Sequence, residues 1–301
     1  MTARTGTIAL PQQAARRRMA DFVMLTKPRL VSLVLVTTLV GFYMGSSGKV
    51  DIPLLVNTIL GTALAAAGAM ALNQCLEREV DGKMARTRLR PLPDGRLQPF
   101  EALAFGVVVT ASGLLLLAFL VNPLASGVTA ATVGTYLFVY TPLKQKTSLA
   151  TIAGAIPGAL PPVTGWVAAR GTLGAGAGAL FAILFLWQLP HFLALAWLYR
   201  EDYAKAGIVV LPSSDPDGSM TGRQMVGNLL ALIPAALLPN LVGLAGAAYF
   251  VGALVFSGLF LACGAAFAIH PSRPAARRVF LASLAYLPAL LALLAPGRTP
   301  P

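Results

Sequence analysis

Residues 53–74 read PLLVNTILGTALAAAGAMALNQ, a run without a single charge. A helix of that length rises about 1.5 Å per residue, enough to cross the roughly 30 Å hydrocarbon core of a bilayer. The residues that follow reverse its character. Residues 73–91 read NQCLEREVDGKMARTRLRP. Asn73, Glu77 and Asp81 recur every four residues, which on a helix stacks their oxygens along one face with a drift of about 40° per step. Lys83, Arg86, Arg88 and Arg90 come next.

Working outward, the whole chain shares the apolar character of 53–74. Of 301 residues, 56% are hydrophobic and only 11% charged, far below the roughly 25% charge of soluble domains. The mean hydropathy of +0.73 agrees. Nine apolar stretches can be drawn, at 23–45, 53–74, 100–120, 124–141, 148–168, 174–199, 222–242, 246–269 and 279–296. The expected fold is an all-α, polytopic membrane bundle of about nine transmembrane helices. Residues 21–301 form one domain, and residues 1–20, polar and Arg-rich, form a poorly ordered tail. The first apolar run is too long for the core of a cleavable signal. Cys75 and Cys263 stand at unrelated spacing and read as small apolar side chains, not as a disulfide or a zinc site.

With nine spans, the N-terminus and the connections after spans 2, 4, 6 and 8 share one side. Twenty of the 23 basic residues fall there, leaving Lys49, Arg170 and Arg298 on the other. The positive-inside rule puts the N-terminus in the cytoplasm and the C-terminus outside. The net charge of +12 then reflects topology and anionic lipid, not nucleic acid. Nine of the eleven acidic residues lie in the connections after spans 2 and 6. Topology gives no reason for that clustering, so chemistry must. Hard oxygen ligands facing basic groups suit a magnesium-bridged diphosphate. No Ser/His/Asp arrangement or activated cysteine suggests a protein nucleophile.

The motifs are specific enough to compare. Asn73-x-x-x-Glu77-x-x-x-Asp81 followed by Met84-Ala-Arg86-Thr87-x-x-Arg90-Pro91-Leu92 resembles the first motif of the UbiA-type intramembrane prenyltransferases. Further blocks resemble the branch of that superfamily that farnesylates haem. They are Tyr140-Thr-Pro-Leu-Lys144, Gly158-Ala-Leu-Pro161-Pro162-x-x-Gly165-Trp166, Trp187-Gln188-x-Pro190-His191-Phe192 and Arg200-x-Asp202-Tyr203-x-x-Ala206-Gly207-x-x-x-Leu211-Pro212. Leu25-Thr-Lys27-Pro28-Arg29 fits as well. The likeness covers roughly residues 20–295. It implies transfer of a farnesyl group from farnesyl diphosphate to the 2-vinyl group of haem B with addition of water. It implies Mg2+ as the cofactor, and haem A synthase or oxidase assembly factors as downstream partners.

On this reading Asn73, Glu77, Asp81 and Asp202 hold the metal, and Lys83, Arg86, Arg90, Lys144, His191 and Tyr203 contact substrate. Each has a plainer alternative. The first three could cap span 2 at the interface, and Asp202 could cap span 6. Arg86, Arg90, Lys144 and Lys146 could serve topology alone, and Glu79 and Arg88 fall off the ligand face. His191 could contact haem, handle a proton or simply bond a neighbour. Asp215 and Asp217, in Ser-Ser-Asp-Pro-Asp-Gly, read as turn residues, and His270 as a helix cap. Two rival functions stand beside this one. A quinone-precursor or chlorophyll-type acceptor is disfavoured because Ala206 breaks a second Asp-x-x-x-Asp. A secondary transporter would place its ionisable groups near the midplane, not at the rim.

Overall fold

In the computed structural model, residues 11–296 are described, and every regular element among them is helical. In chain order these are α1 (Pro11–Leu25), α2 (Pro28–Gly45), α3 (Ile52–Leu76), α4 (Arg78–Lys83), α5 (Pro99–Leu120) and α6 (Pro123–Gly134). A π-helical turn, Thr135–Tyr140, leads into α7 (Thr141–Leu143), followed by α8 (Ala150–Ala159), α9 (Pro161–Arg170) and α10 (Ala175–Leu198). Then come α11 (Arg200–Lys205), α12 (Ser219–Leu241), α13 (Ala247–Ile269) and α14 (Arg273–Leu294).

Among the described residues, eight helices are long and apolar enough to cross a membrane, α8 and α9 counting as one bent span. The expected ninth, 124–141, is the unbroken helical run 123–143, with the π turn in its C-terminal half. Contacts at the two ends of the bundle fix the count. At one end the segments before span 1 and after spans 2, 4, 6 and 8 converge. Lys27 bonds Asn73, Val209 N–H donates to the Lys144 carbonyl at 2.8 Å, and Gly218 abuts Pro271. At the other end Asn122 Nδ2 donates to the Val167 carbonyl at 3.0 Å, and Leu244 approaches Gly176. Lys144 lies at the end that holds Asn73 and Glu77, so both runs between them, α5 and 123–143, cross the bundle, and with the seven other spans they make nine. A multi-pass membrane bundle follows.

Lipid offers no hydrophobic drive for helices to associate, so close packing must supply it. The α2–α9 contact shows how. A Cβ on Gly41 would lie 1.9 Å from the Pro162 carbonyl oxygen, and one on Gly165 would lie 1.9 Å from that of Thr38. Large apolar side chains such as Leu33, Phe119, Phe138 and Val251 stay exposed along the outer surface, as a lipid-facing wall requires.

The tail differs from expectation. Residues 1–10 lie outside the described residues, but residues 11–20, expected to be poorly ordered, belong to α1. Pro11 opens the helix with its φ already fixed. The helix is then held onto the bundle. Asp21 pairs with Arg96 at 3.4 Å, Arg18 pairs with Glu101, and the Phe22 ring lies 5.1 Å from that of Phe105.

Candidate active site at the rim of the bundle

α3 ends at Leu76 and α4 begins at Arg78, so the chain bends at Glu77, which sits at φ −102°, ψ 8°. The hydrogen-bond ladder nevertheless continues down one face. Glu77 N–H donates to the Asn73 carbonyl at 3.0 Å and Asp81 N–H to the Glu77 carbonyl at 2.8 Å. The expected stacking of Asn73, Glu77 and Asp81 therefore survives the bend. All three are buried, at 2%, 4% and 2% exposure. Burying a carboxylate costs several kcal/mol unless a partner compensates. Arg90 Nη1 donates to Asp81 Oδ2 at 2.6 Å, and Lys144 Nζ pairs with Glu77 Oε1.

These groups line a cavity of about 250 Å3 together with Lys27, Arg86, Tyr136, Tyr140 and Tyr203. Leu30, Phe192 and Leu195 form its apolar wall. Four cations, Lys27, Arg86, Arg90 and Lys144, face two carboxylates, so the cavity carries an excess of two positive charges. That surplus suits a polyanion. The volume is below the roughly 300–1,000 Å3 of whole-ligand pockets, which suits a phosphate-bearing head rather than a complete ligand.

The sequence offered Lys27 as a basic residue of the N-terminal side and as part of the Leu25–Arg29 block, with no site role. It is the one non-glycine residue with positive φ among the described residues, at 47°. The left-handed region costs a side-chain-bearing residue on the order of 1–3 kcal/mol, and such strain gathers at functional sites. Gln74 Nε2 holds this turn by donating to the Leu25 carbonyl at 2.8 Å. Lys27 Nζ then reaches Asn73 Oδ1 at 3.1 Å. Burial lowers its ammonium pKa to about 8, with Arg90 adding to the effect and Glu77 and Asp81 opposing it.

The π turn supplies two more cavity residues, Tyr136, which the sequence reading passed over, and Tyr140, which it quoted only within a motif. It places the rings of Tyr136 and Tyr140 5.8 Å apart in a stack. Single π turns inside α-helices often mark functional sites. Thr141 Oγ1 donates to the Tyr136 carbonyl at 2.8 Å and accepts from Asn73 Nδ2 at 3.1 Å. The spacing Tyr136, Tyr140, Lys144 was the available signal, one face of a helix in the fourth apolar stretch. The opposite wall is tied in by the cluster of Val80, Met84, Ala206 and Ile208, which joins the connections after spans 2 and 6 and carries Tyr203. Burial raises the Tyr203 phenol above its usual range despite the opposing Arg86, so it stays a proton donor at neutral pH.

Three expected site residues lie elsewhere. Asp202 lines a separate pocket of about 490 Å3 with Trp197, Arg200, Asp217 and Arg273. The reason is local. α10 stops at Leu198 and α11 starts afresh, and neighbours on a helix point about 100° apart. Tyr203 takes the cavity face, so Asp202 cannot share it. Lys83 is exposed and does not line the cavity, because Met84, beside it, points into the apolar cluster. His191 faces α14 instead of the rim, with Nδ1 2.7 Å from Ser283 Oγ. Glu79 and Arg88 are exposed, as expected. Asp215 is a buried turn residue whose carboxylate accepts from Thr221 N–H at 2.7 Å and Met220 N–H at 3.3 Å. His270 caps α13, its N–H donating to the Ala266 carbonyl. Both cysteines are free and half-buried.

Mg2+ prefers one or two carboxylates plus substrate phosphates to an all-protein cage. Among the described residues no three His, Cys, Asp or Glu side chains converge on a metal position. Glu77, Asp81 and the Asn73 amide oxygen, on one face of one cavity, fit an ion shared with a phosphate.

A buried carboxylate face, a cationic surplus and an apolar wall meet at the rim of this helical bundle, a setting for a ligand with a phosphate head and an apolar tail. Residues 34–287 match the UbiA prenyltransferase family, and the chain belongs to that family. It is 47% identical over 285 residues to the protoheme IX farnesyltransferase of Solibacter usitatus (strain Ellin6076), covering 92% of this chain and 98% of that one. It is 44% identical over 274 residues to the protoheme IX farnesyltransferase of Salinibacter ruber (strain DSM 13855 / M31), covering 91% and 97%. Among solved structures, that of a digeranylgeranylglyceryl phosphate synthase in membranes aligns with a TM-score of 0.80 at 17% identity, over 93% of this chain and 98% of that one. A UbiA homolog from Archaeoglobus fulgidus bound to GPP and Mg2+ aligns with a TM-score of 0.64 at 16% identity, over 91% and 99%. At those identities the structural likeness establishes the fold alone.

Proposed function

We propose that this chain transfers the farnesyl group of farnesyl diphosphate to the 2-vinyl group of haem B, adding water and releasing diphosphate. The observation that carries the reading is the rim cavity, where four cations exceed two buried carboxylates above an apolar wall. The names of the relatives supply the acceptor.

Lys27, Arg86, Arg90 and Lys144 bind the diphosphate, which carries more negative charge than the cavity's surplus of two. Asn73, Glu77 and Asp81 would hold the Mg2+. When bound, that ion neutralises the charge that builds on the leaving diphosphate. Arg90 and Lys144, which pair with Asp81 and Glu77, also line the cavity that would receive the phosphate oxygens. The C1–O bond breaks and its electron pair leaves with the diphosphate. The faces of Tyr136 and Tyr140 lie where an allylic cation is favoured by the ring quadrupole. Leu30, Phe192 and Leu195 keep bulk water from quenching it. The vinyl π electrons form the new carbon–carbon bond. The porphyrin-stabilised cation that results takes up one water and releases a proton.

His191 sits toward the membrane interior on α10, whose Phe192 and Leu195 line the cavity, and contacts the porphyrin. The charge asymmetry supports a cytoplasmic N-terminus and an outside C-terminus in a bacterial-type plasma membrane. The product passes to haem A synthase or oxidase assembly factors. The test is incubation of the purified protein with haem B, farnesyl diphosphate and Mg2+, followed by haem extraction and mass analysis. A haem heavier by one farnesyl group and one hydroxyl group is expected. Diphosphate release with unmodified haem, or prenylation of a quinone precursor instead, would overturn the reading.

A further inference from the structure

Ser283, on α14, lies 92 residues beyond His191 and touches neither the rim cavity nor its wall. It makes two short polar contacts. Ser283 Oγ lies 2.6 Å from the Phe280 carbonyl oxygen and 2.7 Å from His191 Nδ1. A carbonyl has no proton to give, and two bare oxygens at 2.6 Å would repel. The single hydroxyl proton of Ser283 therefore points to Phe280. Its oxygen then faces His191 with lone pairs only, so Nδ1 must carry a hydrogen and donate it. In a neutral imidazole this leaves Nε2 without a hydrogen, its lone pair directed away from Ser283. Among the described residues no protein group hydrogen-bonds Nε2.

The ring is also fixed in place. Trp187 stacks on it at 5.3 Å and Phe280 at 4.9 Å, so the imidazole is gripped between two aromatic faces. Trp187 is locked in turn, because its Nε1–H donates to the Ser283 backbone carbonyl at 2.8 Å. One residue of α14 thus sets both the tautomer and the frame of a half-buried histidine. A histidine that only filled space would not need its Nε2 bared. This is how a ligating histidine is prepared, with the second nitrogen's hydrogen bond deciding which nitrogen binds.

We propose that Ser283 is a positioning residue. It holds His191 in the Nδ1–H tautomer so that Nε2 is presented to the iron of the haem acceptor. This rests on the reading of haem B as the acceptor. Substitution of the partner that orients a ligating histidine typically costs about 10- to 100-fold in affinity.

The experiment is a titration of haem B into the full-length protein in nanodiscs, followed by its Soret band and spin state. The wild type, Ser283→Ala, Ser283→Thr and His191→Ala are compared, and farnesyl diphosphate binding is measured on each. Ser283→Ala should bind haem about 10- to 100-fold more weakly and shift the Soret band toward the spectrum of His191→Ala. Ser283→Thr, which keeps the hydroxyl, should restore the wild-type spectrum. Farnesyl diphosphate affinity should be the same in all four. Wild-type haem affinity and spectrum in Ser283→Ala would overturn the proposal, as would an unaltered spectrum in His191→Ala. A loss of diphosphate affinity in Ser283→Ala would also overturn it, since that would mean general disruption of the fold. Failure of the wild type to bind haem would instead refute the acceptor assignment beneath it.

Discussion

Asp81 shows how one side chain serves both fold and chemistry. It is buried and accepts from Arg90 at 2.6 Å, while its backbone carbonyl accepts from Thr87 Oγ1 at 2.7 Å. Removing Arg90 alone strands a buried charge, a change that typically costs on the order of 3 kcal/mol. Arg90→Ala should therefore lower thermal stability as well as turnover. Asp81→Ala, which removes the stranded charge along with its partner's role, should cost less stability but reduce turnover about 100-fold or more. The double variant should regain most of the stability lost in Arg90→Ala and none of the activity. Melting curves and product assays on the three proteins decide this, and recovery of turnover in the double variant would remove Asp81 from the machinery. The spacing of Asn73, Glu77 and Asp81 was enough to find this face, because i, i+4, i+8 places any three residues together. Lys27 was not legible in that way. Its role depends on a left-handed turn stabilised by Gln74 from another helix, a tertiary fact.

At the scale of elements, breaks in helices aim the side chains. The bend at Glu77, the π turn at Thr135–Tyr140 and the stop at Leu198 each change which residues share a face. Asp202 illustrates the limit of periodic reading. It lies in the right connection, but on the new helix, which starts at Arg200, Tyr203 takes the cavity face. The two Asp-bearing connections therefore do not form a symmetric pair of metal sites. Packing between elements is more rigid. Gly165→Ala would place a methyl 1.9 Å from the Thr38 carbonyl, where only backbone movement can make room. Overpacking of this kind costs about 1–3 kcal/mol, so the variant should melt earlier and yield less folded protein in membranes. A melting curve equal to the wild type's would contradict the tight α2–α9 contact. Asp215 caps the start of α12, and its Ala variant should cost about 1 kcal/mol. Burial raises its pKa, but the bonds from Thr221 and Met220 outweigh this and leave it below the usual carboxylate value. The cap's contribution is therefore present at neutral pH and is lost as pH falls through that depressed value. The stability difference between Asp215→Ala and wild type should shrink on acidification; a constant difference would exclude an ionised cap.

For the whole molecule, composition alone was sufficient to identify a helical membrane bundle, because uncharged runs of about 20 residues have few other physical solutions. Eight of the nine expected runs form helices long enough to cross on their own, and the fourth, 123–143, carries the π turn. The proposed orientation rests on twenty basic residues on one side against three on the other. A reporter active only in the cytoplasm should be silent when fused after Pro301 and bright when fused before Met1. Activity at both ends would break the odd count of crossings. The whole-molecule view also explains why the site sits at the rim. A diphosphate arrives from water while its prenyl chain needs an apolar wall, and both are met only where the helices end. The most direct measurement is a structure with Mg2+ and a non-cleavable thio analogue of farnesyl diphosphate. The account predicts the diphosphate between Lys27, Arg86, Arg90 and Lys144, with the metal on Glu77 and Asp81. Diphosphate seated instead in the neighbouring pocket with Arg200, Asp202 and Arg273 would contradict it.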